Sequence, residues 1–177
     1  VEEGRCGPRF GSVWVCAPDP VYSAPVRALI AAERPDTPDS QALIEELETH
    51  LASLYPVESR HGLSVAKLLA ENVAFFVTRY DGAPAGCGGI KLVGRDYGEV
   101  KRMFVRPGYR GLGLGKLMLD HLVAYAREHG IGLVRLETGI HQREAIALYE
   151  RAGFRRIAPF GAYTDDPLSR CYEKRVD

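Results

Sequence analysis

The stretch Glu99-Val-Lys-Arg-Met-Phe-Val-Arg-Pro-Gly-Tyr-Arg-Gly-Leu-Gly-Leu-Gly115-Lys116 decides how this chain is read. Glu99 to Val105 is rich in β-formers and Pro107-Gly108 ends the run, which predicts a strand. Residues 114–129 then place Leu114, Leu117, Met118, Leu122, Tyr125 and Ala126 at helical spacing, with Gly130 and Gly132 as the stop. The glycine-rich segment Arg110 to Lys116 therefore joins a strand to a long amphipathic helix. Glycines let backbone approach a ligand closely, and the first amides of a helix have no partners within it. Together with the positive end of the helix dipole they suit a pyrophosphate.

Two familiar nucleotide-binding patterns fail here. A Walker A loop needs glycine five residues before Gly115 and Ser or Thr after Lys116, where the chain has Arg110 and Leu117. A G-x-G-x-x-G fingerprint begun at Gly111 ends on Lys116, and begun at Gly113 it ends on Met118. The loop does fit [Q/R]-x-x-G-x-[G/A] as Arg110, Gly113 and Gly115. On this feature alone, a glycine-rich turn with no ligand is the alternative.

Upstream, Val73 to Tyr80 and Ala85 to Val93 are β-rich runs joined by Asp81-Gly82, a hairpin signal, and a turn at Arg95 to Gly98 leads into the strand at Glu99. Earlier still, a short strand is predicted over 12–17 and a short helix from Val26 to Glu33. A stronger helix is predicted over 39–54, capped by Asp39 or Ser40, with Leu43, Leu47, Leu51 and Leu54 inward. Ser64 caps a short helix over 65–71. Downstream come a strand from Leu133 to Thr138, a helix over 142–151 closed by Gly153, and strands Phe154 to Ile157 and Arg170 to Lys174. The expectation is a single α+β domain over 1–177, a mixed and mostly antiparallel sheet flanked by helices.

Composition narrows the function classes. The 177 residues carry 23 basic and 23 acidic side chains, which excludes a generic basic nucleic-acid binder. No apolar run approaches the ~18 residues of a membrane helix. Val1 to Phe10 lacks the apolar stretch of a signal peptide, so a cytoplasmic location is expected. The four cysteines, Cys6, Cys16, Cys87 and Cys171, have no metal-ligand spacing and read as free thiols, and no metal site is expected.

Two separated segments resemble the GCN5-related N-acetyltransferase (GNAT) superfamily. One is Glu99 to Gly115, similar to the family's strand, pyrophosphate loop and helix start. The other is Ala145-Ile-Ala-Leu-Tyr149-Glu-Arg-Ala-Gly-Phe154, similar to its second motif. The resemblance is closest over 73–158. It implies an acyl-CoA N-acyltransferase fold, acetyl-CoA as cofactor, and acetyl transfer to a primary amine of a small molecule, amino acid or peptide, with room for a homodimer.

In the family's pattern, the backbone of Met103, Phe104 and Val105 pairs with the pantetheine arm. The loop Arg110, Gly111, Leu112, Gly113, Leu114, Gly115 and Lys116 holds the pyrophosphate. The amide near Met103 polarises the thioester carbonyl. Tyr149 matches the general acid that protonates the departing sulfur, with plain packing as the alternative. Glu99 and Glu137 match two positions used for the base in different members, and deprotonation through water is a third route. Gln142 stands where many members have Asn, keeping the amide with a longer reach. A non-catalytic acyl-CoA-binding module on the same fold is the competing class.

Other candidates read as structural. Cys87 within Gly86-Cys-Gly-Gly89 has no histidine near in sequence, so packing is expected rather than an acyl-carrying role. His141 reads as solvent-facing or capping, and His121 and His129 stand too far apart on the helix to share a metal. Arg155-Arg156 is too short for a nucleic-acid patch. The segments 55–62 and 159–167 are the candidates for bordering an acceptor pocket.

Overall fold

The computed structural model describes residues 27–176. In chain order the elements are β1 (Ala28–Ala32), α1 (Pro38–Ala52), α2 (Val65–Ala70), β2 (Ala74–Tyr80), β3 (Ala83–Val93), β4 (Tyr97–Val105), α3 (Leu114–Glu128), β5 (Leu133–Gly139), α4 (Arg143–Arg151), β6 (Arg155–Ile157) and β7 (Ser169–Arg175). Single 3₁₀ turns sit at Val57–Ser59 and Pro107–Tyr109. The strands form one seven-stranded sheet in the order β1-β2-β3-β4-β5-β7-β6. Among the described residues, only the β4–β5 pair is parallel. This is the mixed, mostly antiparallel α+β sheet expected from the sequence.

The first expected helix is a strand instead. Residues 28–32 pair antiparallel with β2, from Ala28 against Tyr80 to Ala32 against Phe76. The open edge of β2 satisfies the backbone of this run directly, and that tertiary pairing overrides its local helix signal. The strand expected over 12–17 lies outside the described residues, as do Cys6 and Cys16. The cap of α1 is Thr37, one turn position earlier than Asp39 or Ser40. Its side chain accepts from the Ser40 amide at 3.3 Å, with Pro38 in the first turn. On α3, Leu117 is exposed, and Leu119 and Val123 take its place in the core. The buried face is thus rotated toward the sheet relative to the sequence expectation.

Alternation along β2 sorts the core into two layers. Phe76 packs with Met118, Leu119 and Leu122 of α3, while Phe75 and Val77 pack with Leu43, Ile44 and Leu47 of α1. Val100 and Phe104 break this rule in an informative way. Four residues apart on β4, they should share a face, yet Val100 packs in the α3 layer and Phe104 in the α1 layer. The pairing with β3 slips between Cys87 and Gly89, so Arg102 and Met103 stand opposite the single residue Gly88. Arg102 adopts φ +53° there. This β-bulge inverts the face that each later residue presents.

The bulge also ends the pairing on the other side of β4. The β4–β5 register runs only from Gly98 against Val134 to Val100 against Leu136. Beyond Val100 the two strands diverge and open a wedge in the middle of the sheet. Gly139, at the far end of β5, lies beneath Tyr55, and a Cβ there would overlap the Tyr55 ring. Gly139→Ala is expected to destabilise the fold by about 1–3 kcal/mol through overpacking. Thermal denaturation checks this, and an unchanged midpoint would mean that Tyr55 moves aside freely.

Candidate active site

The wedge opens onto the candidate site. A cavity of about 100 Å³ is enclosed by the end of α1, residues 59–63, β4, β5 and α4. Both segments expected to border an acceptor pocket reach it, through Tyr55 and Arg60 on one side and Tyr163 on the other. Met103, Glu137, Gln142 and Tyr149 line it as well. The remaining expected donor-binding residues, Phe104, Val105 and Arg110 to Lys116, run along β4 and the turn after it, outside this cavity.

Tyr149 is buried on α4, packed near Phe154, with ring centroids 6.1 Å apart. Its hydroxyl has no hydrogen-bond partner among the described residues. Burial, and secondarily the charge of Glu137, raises its pKa above that of an ordinary phenol. Glu137 is half-buried, and its carboxyl is pushed above the usual range, chiefly by desolvation. Its Oε1 accepts from Ser169 Oγ at 2.6 Å, which only partly offsets the cost of holding a charge there.

Glu99 is held differently. Its Oε1 accepts from Tyr163 Oη at 2.7 Å and lies 2.6 Å from Lys101 Nζ. Lys101 Nζ donates to Tyr163 Oη at 2.6 Å. Oε1 of this buried carboxylate is therefore held by a half-buried cation and a phenol, and Glu99 is not among the groups lining the cavity. Glu137, by contrast, lines the cavity with one hydroxyl partner.

The two loops are joined across the mouth of the cavity. His61 Nε2 lies 3.5 Å from Asp166 Oδ2, and the His61 ring meets the Tyr163 ring edge-on at 5.6 Å. Tyr55 Oη accepts from the His141 amide at 2.8 Å and its ring stacks on the His141 ring, tying the end of α1 to the turn before α4. Sequence reasoning placed Tyr55 in a segment bordering the pocket but did not single out Lys101 or Arg102. Lys101 shares its strand face with Glu99 by period-2 spacing, which was the one available signal.

Gln142 caps the start of α4. Its Oε1 accepts from Thr138 Oγ1 at 2.9 Å and from the Gly139 amide at 3.3 Å. The carbonyl end is thereby occupied, leaving the NH₂ group for a ligand. Cys87 is buried and donates to the Arg102 carbonyl at 3.3 Å. Burial pushes its thiol up to about 12, as suits a packing residue.

The donor side can be tested against coenzyme A. Gly113 precedes α3 with φ +79° and no side-chain cap, and Gly111 has φ +80°. The first-turn amides of α3 thus lack a protein side-chain partner at a helix start free of acidic residues. Beside them, the side of β4 facing β5 has no partner strand past Val100 among the described residues. Amide donors for a pyrophosphate next to a free strand edge for an amide-bearing arm match the chemistry of coenzyme A.

The sequence matches the profile described as Acetyltransferase (GNAT) family over residues 32–154. The chain belongs to the GNAT family. Among its relatives, the IAA acetyltransferase of Azospirillum brasilense is 44% identical over 146 residues, spanning 82% of this chain and 95% of that one. A solved structure from Klebsiella pneumoniae subsp. pneumoniae MGH 78578, described as an acyl-CoA N-acyltransferase, is 35% identical with a TM-score of 0.73. It covers 85% of this chain and 98% of its own. PaiA N-acetyltransferase of Thermoplasma acidophilum, solved with coenzyme A, shares the fold at TM-score 0.66 and 22% identity, over 84% and 98% of the two chains. The divergence of β4 from β5 and the glycine loop before α3 are thus read as parts of a GNAT acetyltransferase.

Proposed function

We propose that this GNAT protein transfers the acetyl group of acetyl-CoA to a primary amine of a small molecule, amino acid or peptide, by direct attack in a ternary complex. The observation that carries this is the wedge between β4 and β5, with Glu137 and Tyr149 both facing the cavity it opens. The amine nitrogen bonds to the thioester carbonyl carbon, the carbon–sulfur bond breaks, and one amine proton is lost as the sulfur gains one. Acetyl-CoA supplies the activated acyl group, and the chain's own residues bind, orient and manage the protons. Amides at the start of α3 and the β4 edge near Met103 position the donor. Glu137 accepts the amine proton, and Tyr149 donates to the developing thiolate. Glu99 holds Lys101 and Tyr163 in place at the cavity wall.

Free-thiol release from acetyl-CoA across a panel of amines tests the proposal. Donor binding without release for any amine would favour the non-catalytic module. The loop has its own test. Gly113→Ala forces a Cβ into a left-handed backbone conformation that costs about 1 kcal/mol or more. Acetyl-CoA affinity is expected to fall several-fold while turnover at saturating donor stays near normal. Isothermal titration read beside kcat checks this, and unaltered donor affinity would exclude the loop from the donor site.

A further inference from the structure

We infer that the acceptor is a small amine that carries a carboxylate, and that Arg60 is the residue that reads it. This deepens the acetyl-transfer function proposed above and rests on it. Arg60 lies in the cavity wall with its side chain 22% exposed. Among the described residues its nearest carboxylate oxygen is Glu48 Oε2 at 3.9 Å, beyond hydrogen-bond distance. Its Nε is buried with no acceptor. A guanidinium is a rigid fork of five N–H donors shaped for two-point contact with a carboxylate. Leaving such donors unmade in a half-buried place is costly unless a ligand completes them.

The other cations around the cavity are already matched. Lys101 is paired with Glu99 and Tyr163. Arg102 donates to the Leu63 carbonyl and to Glu48 Oε1. His61 faces Asp166. Glu48 therefore serves two guanidiniums at once, with Oε1 bonded to Arg102 and Oε2 no nearer than 3.9 Å to Arg60, so one carboxylate faces two positive charges on this wall. Across the cavity Glu137 has Ser169 as its hydrogen-bond partner and no cation in an ion pair. A positive wall facing an underpaired carboxylate is complementary to a molecule with an ammonium at one end and a carboxylate at the other.

The test compares acceptors matched except for the carboxylate: free α-amino acids, their amides, and the corresponding decarboxylated amines. With the native protein, kcat/KM is expected to be at least about tenfold higher for the free acids. Arg60→Gln is expected to lower kcat/KM for the acids by about 10- to 100-fold and leave the amides within about twofold. The amide rate doubles as the control that the variant is folded. Arg60→Lys, which keeps the charge without the fork, should fall between the two. Equal rates for acids and amides with the native protein would overturn the inference while leaving acetyl transfer intact. So would an Arg60→Gln variant that slows both alike. Absence of thiol release with every amine would instead refute the transfer reaction on which the inference depends.

Discussion

Tyr149→Phe is expected to lower turnover by about 100-fold, with little change in the affinity for acetyl-CoA. The substitution removes one oxygen from a buried ring and leaves the packing against Phe154, so the fold and the donor site should survive it. General acid catalysis is worth about 10²–10⁴ in rate. The low end is expected because a thiol, with an ordinary pKa of about 8.5, leaves readily even without help. Burial raises the phenol above its ordinary pKa, so full proton transfer to a thiolate is uphill and the hydroxyl acts by donating a hydrogen bond as charge builds. The same shift keeps the phenol protonated across the neutral range, so Tyr149 should impose no alkaline limb near pH 8–9. Steady-state turnover beside donor titration checks this. An unchanged kcat would return Tyr149 to a purely packing role.

Glu137→Gln gives the second large effect, about 100-fold in kcat/KM near neutral pH, together with an altered pH profile. As base, Glu137 works only when ionised, and desolvation has raised its pKa. The native rate should therefore fall as pH drops through that raised value, above the ordinary carboxylate range. Without the carboxylate, reaction waits for free amine, and the acid limb moves toward the amine's own pKa. The stability sign is opposite to the activity sign. A carboxyl whose folded pKa lies above its unfolded value favours folding most at low pH, and that advantage is lost as pH rises through the folded value. At neutral pH the charged Glu137 costs stability, so the Gln variant should melt higher than the native protein, with the gap closing in acid. A Glu137→Gln protein with a native pH profile would leave the proton to Glu99 or to water.

Glu99 shows how differently two carboxylates that both match base positions of the family can fare. Both match base positions of the family, and nothing in spacing or composition separates them. The distinction comes from tertiary partners: Tyr163, from the loop between β6 and β7, and Lys101 both hold Glu99 Oε1, while Glu137 receives a single hydroxyl. Arg60 is the same kind of case. In the sequence it is one arginine in a turn, and its unused donors become visible only when Glu48, Arg102 and Leu63 are seen to satisfy each other around it.

By itself the sequence determined the meander, the glycine loop at a strand-to-helix junction, the long helix α3 and the second motif around Tyr149. These are local signals: turn residues, period-2 and period-3.6 patterning, and glycine where the backbone turns left-handed at Gly113. They were enough to identify the family. Only the tertiary structure decided that residues 28–32 form an edge strand, that β4 bulges at Arg102, and that β4 and β5 part after Val100. Each of these depends on which backbone groups a neighbouring strand leaves free, a non-local quantity that no window of sequence carries. The acceptor side follows the same rule, because its charges are set by ion pairs closed across the fold.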